Sequence, residues 1–270
     1  MDISQLKEIA HQIRHGILEG TYNAKSGHPG GSLSVTELIT YLYFEEMNID
    51  PKNPNWDERD RFVLSKGHAA PALYTALALK GFFSRDEIKN LRKVNSILQG
   101  HPDMKRTPGI DMSTGSLGQG FSTACGMAKS AKITGKNYRV FTVLGDGEIQ
   151  EGMVWEAAMF AGFHKLDNLI AIIDNNGLQI DGAVDEVCSP YPIAEKFEAF
   201  NFHVLTMDAH DFNSIEKAFT TARGLKGKPI VIIQKSIKGK GISFMENAVD
   251  WHGVATTKEE YEKAKIELRF

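Results

Sequence analysis

The sequence predicts an α/β fold: a doubly wound, mainly parallel sheet of about five strands with helices on both faces. Three observations predict it. Five short apolar runs, at residues 61–65, 140–144, 169–173, 202–207 and 230–234, have the length and composition of buried strands. Stretches with helical patterning separate them, as in βαβ units. Polar and glycine residues close several of the runs, at the place where open α/β sheets bind ligands.

The elements follow in order. A helix is expected over 3–19, with Ile3, Leu6, Ile9, Ile13, Ile17 and Leu18 near one face. The stretch KSGHPGGSLSVTEL then gives a glycine-rich loop at 26–32 carrying His28. Helical patterning resumes at Val35, with Ser34 as N-cap and Glu37 in capping-box position. A Pro-, Asn- and Asp-rich loop at 53–60 leads into the strand at 61–65, and Lys66-Gly67-His68 sits at its end. A helix covers 71–80, and Ser84 caps the next. Residues 100–115 form a loop holding His101, and Gly115, Gly118 and Gly120 lead into an Ala- and Gly-rich helix at 121–132. The order Gly-x-x-Gly-x-Gly, with a helix rather than a strand before it, departs from the dinucleotide fingerprint and argues against a nicotinamide dehydrogenase.

Residues 139–182 form the organising unit. The strand at 140–144 stops at Gly145-Asp146-Gly147, a helix follows at 151–163, and the strand at 169–173 ends in Asp174-Asn175-Asn176. Beyond it come the strand at 202–207, a helix at 212–223, the strand at 230–234 and a basic glycine-rich loop at 235–243. Trp251-His252-Gly253 and a charged helix at 258–268 complete the chain.

Composition limits the function classes. The 270 residues carry 31 Lys and Arg against 34 Asp and Glu, a net charge of −3, which favours neither nucleic acid nor an anionic membrane. Cys125 and Cys188 stand far apart, outside any metal-type spacing, and are expected to be reduced, as in a cytoplasmic protein. There is no apolar signal core and no membrane-length run. Residues 1–270 are expected to form one domain.

The polar residues after the strands suit a metal held on a diphosphate. Asp146 offers a carboxylate, Asn176 an amide oxygen and the Gly177-Leu178 turn a backbone carbonyl. Hard oxygens of this kind are what Mg²⁺ takes, together with phosphate and water. The plainer alternative is an ordinary βαβ unit with polar turns. Against it stands the spacing, since residues 148–174 separate Gly147 from the paired asparagines. Four histidines, His28, His68, His101 and His252, also lie in glycine-containing loops. Each alone suits a surface or capping role, and none has the short-range spacing of a zinc site. As a group, they could hydrogen-bond sugar hydroxyls and phosphate, and shuttle protons.

The Gly-Asp-Gly block followed by paired asparagines resembles the thiamine diphosphate motif. The blocks KSGHPGGSLS, RDRFVLSKGHAAPALY, GHPD, GSLGQG, GDGEIQEG, DNNGLQIDG and WHG resemble the transketolase family, in order and over nearly the whole chain. They cover only that family's N-terminal half, the diphosphate-binding (PP) domain. The resemblance implies thiamine diphosphate and Mg²⁺ (or Ca²⁺ or Mn²⁺) as cofactors, with Asp146, Asn176 and the Leu178 carbonyl on the metal and Gly147 at the diphosphate. His68 and His252 would touch cofactor phosphate and substrate, and His28 and His101 the substrate's reacting end. Gly115 and Leu117 would lie along the cofactor rings, with Ile180 beside them. Glu151 would belong to an acidic network linking paired active sites. Lys66 and Lys238 match lysines of some members only, in a phosphate contact or a solvated role.

The implied reaction is two-carbon ketol transfer from a ketose phosphate to an aldose phosphate. The pyrimidine-binding domain, with the family's catalytic glutamate and its sugar-phosphate arginines, is expected on a partner chain. The resulting assembly would be α2β2, with this chain forming a homodimer and presenting an apolar patch around Leu117 and Ile180. The start at Met1 and the well-patterned terminal helix favour a natural subunit of a split enzyme over a fragment. Competing expectations are a transketolase for an unusual sugar, a deoxyxylulose-phosphate synthase, a 2-oxoacid decarboxylating subunit, and a non-catalytic cofactor-binding subunit.

Overall fold

The computed structural model describes residues 1–268. Helix α1 (Ile3–Ala24) starts from a capping box between Asp2 and Gln5 and runs past the expected residue 19, because Gly20 and Thr21 remain buried. Two short helices follow, α2 (Pro29–Leu33) and α3 (Thr36–Tyr41), then strand β1 (Arg61–Leu64), α4 (Ala70–Lys80) and α5 (Gln119–Thr134). The central unit is β2 (Val140–Gly145), α6 (Gly152–Phe163) and β3 (Leu169–Asn175). A two-residue hairpin, β4 (Leu178–Gln179) and β5 (Gly182–Ala183), precedes α7 (Val184–Cys188) and α8 (Ile193–Ala199). The chain ends with β6 (His203–Asp208), α9 (Phe212–Gly224), β7 (Ile230–Lys235) and α10 (Lys258–Glu267).

The main sheet has five strands in the order β1-β2-β3-β7-β6, all parallel. Its two faces follow from the two-residue period of the strands. Phe62, Leu64, Phe141, Val143, Ile170, Ile172, Ile230 and Ile232 pack in one cluster with α1, α3, α4 and α9. Their neighbours Val63, Val140, Leu144, Leu169, Ala171, Ile173 and Val231 pack in a second cluster with α5, α6 and α8. Both faces are therefore covered, and the strands read as continuous apolar runs. From β1 to β3 the chain steps across the sheet in one direction. It then passes to the far edge at β6 and returns through α9 to β7. The reversal between β3 and β7 is a topological switch point, where such sheets open a crevice.

Register aligns the chemistry. Gly145 lies opposite Asp174, and Asp174 opposite Gln234, so the C-terminal ends of β2, β3 and β7 form one polar row.

Two local expectations are overturned. The loop at 26–32 is partly helical, since Pro29 supplies the preset first residue of α2. Ser34 does not cap α3. Val35 holds that position, and the Ser34 hydroxyl is drawn away to the Asp174 carboxylate at 2.7 Å. The hairpin β4–β5, α7 and α8 are too short to leave a periodic signal. Among the described residues no helix is long and apolar enough to cross a membrane.

Candidate functional site

A cavity of about 320 Å³ opens over the C-terminal ends of the strands. Its lining includes Asp146, Gly147, Asn176, Leu178, Lys238 and all four loop histidines, His28, His68, His101 and His252. Gly115, Leu117, Glu151 and Ile180 also border it, as does Lys66. Every residue singled out from the sequence is thus brought to one place.

Asp146 follows β2 and is buried. Its Oδ1 accepts the Gly147 N–H at 2.8 Å and its Oδ2 the Gly177 N–H at 2.6 Å. The two turns after β2 and β3 are held together through this carboxylate. Burial, and then the negative charge of Asp174, push the Asp146 carboxyl up to about 6. No ion pair reaches it among the described residues. A desolvated carboxylate with a second one behind it is a place where a divalent cation is strongly favoured. The donor set fits a hard cation: Asp146, the Asn176 amide and the Leu178 carbonyl are all oxygens. Among the described residues no cluster of three or more His, Cys, Asp or Glu offers an alternative metal centre.

Asp174, at the end of β3, was not singled out from the sequence, yet it anchors the site. Its carboxylate accepts from Gln234, Ser236, Ser34, Lys66 and Asn176. Burial alone would raise it, but the Lys66 ammonium overrules burial and holds it at about 2. Glu148 was also missed, although it stands next to Gly147. It accepts from the Ser65 hydroxyl and from the Gly118 and Gly145 N–H groups, and so ties the start of α5 to the ends of β1 and β2. The close approach there requires Gly120, where a Cβ would come within 2.6 Å of the Ser65 Cα.

The imidazoles form a compact group. Ring centroids are 5.4 Å apart for His28 and His68, 5.2 Å for His68 and His252, 5.6 Å for His28 and His252, and 6.2 Å for His28 and His101. Burial, then Arg92, lowers His28 to about 4; burial, then Lys238, lowers His252 to about 4. His101 and His68 are lowered too, chiefly by burial. The group is therefore neutral at pH 7 and suited to hydrogen bonding of hydroxyls and phosphate oxygens. Gly115 is required beside His101, because it has φ +141° and a Cβ would meet the His101 ring at 2.9 Å. Arg92 left no sequence signal. Its guanidinium reaches His28 Nδ1 at 3.4 Å and Ser26 Oγ at 3.2 Å.

The solvated role for the lysines is excluded, since Lys66 and Lys238 are each 1% exposed. Lys238 Nζ is 2.9 Å from His252 Nδ1. Leu117 and Ile180 stand at the cavity mouth, 37% and 64% exposed. Glu151 is exposed at the start of α6.

Comparison with known proteins bears on this site. The family described as "Transketolase, thiamine diphosphate binding domain" matches residues 5–270. The 6-deoxy-6-sulfo-D-fructose transketolase subunit SqwG of Clostridium sp. (strain MSTE9) is 48% identical, over 97% of this chain and 96% of its own length. An apulose-4-phosphate transketolase subunit of Phocaeicola vulgatus is 42% identical, over 99% and 95%. The transketolase of Homo sapiens is 42% identical, but only 42% of its length is spanned. The transketolase structure from Campylobacter jejuni superimposes with a TM-score of 0.94 at 36% identity, covering 99% of this chain and 43% of that one.

Proposed function

Because the chain belongs to the transketolase family and carries its thiamine diphosphate-binding domain, we propose that it works as the diphosphate-binding subunit of a split transketolase. Its reaction is two-carbon ketol transfer from a ketose phosphate to an aldose phosphate, in the cytoplasm and within pentose phosphate metabolism. The observation that carries this reading is the single cavity in which Asp146, Asn176, Leu178 and the four histidines converge.

In this reading Asp146, the Asn176 amide and the Leu178 carbonyl hold Mg²⁺, with Ca²⁺ or Mn²⁺ as substitutes. Gly147 and Lys238 face the diphosphate, His68 and His252 the phosphate and substrate, and Gly115, Leu117 and Ile180 the rings. Thiamine diphosphate, when bound, supplies the electron sink for carbon–carbon cleavage and transfer. The neutral imidazoles of His28 and His101 orient the sugar hydroxyls and carry protons at the reacting end. Glu151, exposed at the rim, joins the acidic network across a twofold axis.

The partner is a chain with a pyrimidine-binding domain, assembled as α2β2. This is supported by the near full-length match to two relatives named as subunits, against two fifths of a full-length transketolase. Exposed Leu117 and Ile180 give the partner an apolar surface beside the cavity. The test is to assay the purified chain alone and then with the candidate partner. Ketol transfer only on reconstitution is expected, and full activity from the isolated chain would refute the split reading.

A second reading is favoured by one observation, the 48% identity to a subunit named for 6-deoxy-6-sulfo-D-fructose. The donor would then be a ketose with another terminal group. A donor panel on the reconstituted enzyme separates the two readings.

A further inference from the structure

We propose that the buried Lys66–Asp174 pair positions Asn176: it fixes which end of the Asn176 amide faces the cavity, and so supplies the metal site with its neutral oxygen. This deepens the functional reading above and rests on it.

Asp174 is fully buried at the end of β3. Five donors converge on its carboxylate: Gln234 Nε2 at 2.8 Å and Ser236 Oγ at 2.5 Å on Oδ1, and Ser34 Oγ at 2.7 Å, Lys66 Nζ at 2.5 Å and Asn176 Nδ2 at 3.2 Å on Oδ2. An ionised carboxylate only accepts. The Asn176 group turned toward it must therefore be the NH2, because the reversed amide would set oxygen against oxygen. The amide oxygen is left on the other side of the group. There it takes the Leu178 N–H at 3.1 Å, and Asn176 borders the cavity. The same hydrogen bond ties Asn176 to the residue whose carbonyl is the third metal donor.

Lys66 is what allows an acceptor-only group to stand at this depth. An uncompensated charge with no exposure is strongly unfavourable, and removing one partner of such a pair leaves the other stranded. An ammonium has three protons to donate. Those of Lys66 are directed to the Gly31 carbonyl at 2.8 Å, the Ser34 hydroxyl at 3.4 Å and Asp174. Its protons are thus committed to the protein, and Lys66 acts through Asp174 rather than on a phosphate. The pair gathers the ends of α2, β1, β3 and β7 behind Asn176, and both its members are positioning residues.

The test uses the complex with the pyrimidine-domain partner, Mn²⁺ as a paramagnetic probe, and thiamine diphosphate at fixed concentration. Electron paramagnetic resonance reads free Mn²⁺, and thermal melting reads the fold. Three variants are compared with wild type: Asp174→Asn, Lys66→Met, and the double variant Lys66→Met/Asp174→Asn. Loss of a group that orients a metal ligand typically costs about 10- to 100-fold in metal affinity. Asp174→Asn alone keeps the Lys66 ammonium, which shares Oδ2 with Asn176 and selects an oxygen there, so its Mn²⁺ midpoint should move less than that, while melting temperature falls because the ammonium is stranded. Lys66→Met should lose melting temperature as well, because it strands the carboxylate. The double variant removes both charges. It should recover melting temperature and raise the Mn²⁺ midpoint by the full factor, since an asparagine at 174 without Lys66 can present either end to Asn176. A double variant with a wild-type midpoint would show that the pair serves charge balance alone, and would overturn the inference. Wild-type protein without metal-dependent cofactor binding would overturn the functional reading together with the inference.

Discussion

Lys238 Nζ lies 2.9 Å from Nδ1 of His252. An ammonium only donates, so Nδ1 is the bare nitrogen and the ring proton sits on Nε2. Arg92 does the same to His28, with its guanidinium 3.4 Å from Nδ1. Two cations thus set two neighbouring imidazoles to the same tautomer, each with an Nε2–H to donate.

Lys238→Met removes a buried cation from the cavity and releases the His252 tautomer. Hydrogen bonds to charged groups contribute about 1.5–3 kcal/mol. Thiamine diphosphate affinity is expected to fall roughly 10- to 100-fold, measured by calorimetry on the partnered protein with Mg²⁺. Unchanged affinity would show that the ammonium serves His252 alone.

Asp146→Asn leaves one acceptor oxygen where two N–H groups converge, so either the Gly147 or the Gly177 N–H keeps its bond and the other faces an NH2 group. It removes the charge that would hold the metal. Cofactor binding is expected to weaken by at least about tenfold, equivalent to about 1.4 kcal/mol, as read by calorimetry on the partnered protein with Mg²⁺. Wild-type affinity in this variant would remove Asp146 from the metal site.

His28→Ala and His101→Ala should separate turnover from binding. Both rings lie in the cavity, and loss of a positioned acid, base or donor typically costs about 10²–10⁴-fold in rate. The expected result is that loss in kcat with thiamine diphosphate affinity close to wild type. A variant with near-normal turnover would take its histidine out of the reaction.

The loop that carries Lys238 is tied to α1 through a buried ion pair, and this link gives a pH signature. Arg14 bonds both Glu37 and the Lys240 carbonyl, and His210 bonds Glu37 from the other side. Lys7 and His11 border the same cleft. Burial alone would raise the Glu37 carboxyl, but Arg14 and then His210 hold it at about 2, against an ordinary 4.5. A carboxyl depressed in the folded state stabilises the protein above its unfolded pKa and loses that stabilisation as pH falls through the folded one. The window is therefore from about pH 4.5 down to about 2, and the contribution at neutral pH is about 3 kcal/mol. Glu37→Gln should lower stability at pH 7 by that order and flatten the acid limb, as read by urea unfolding at pH 7, 4 and 3. An acid limb of unchanged slope would show that other carboxyls govern it.

The main sheet is legible in the linear string. The runs containing Val140, Leu169 and Ile230 are too apolar and too short to be anything but buried strands, and all five strands appear within a residue or two of their expected ends. The ligand-facing residues are legible for a similar reason. Asp146, Asn176 and the histidines stand beside glycines after strands or in loops, where local chemistry shows in the neighbours. What stands behind them became visible only in the folded chain. Ser34 has the spacing of a helix cap, but the Asp174 carboxylate, 140 residues away, is a stronger acceptor for its hydroxyl than α3 is a donor to it. Lys66 and Lys238 read equally well as solvated until the fold buried them. Arg92 and Glu148 act across large sequence separations, on Ser26 and His28 in one case and on Ser65 and Gly118 in the other. The physical reason is common to all of these. Periodicity and turn chemistry are local and can be read from neighbours in the chain, whereas a buried charge is set by whichever partners the folded sheet brings to it.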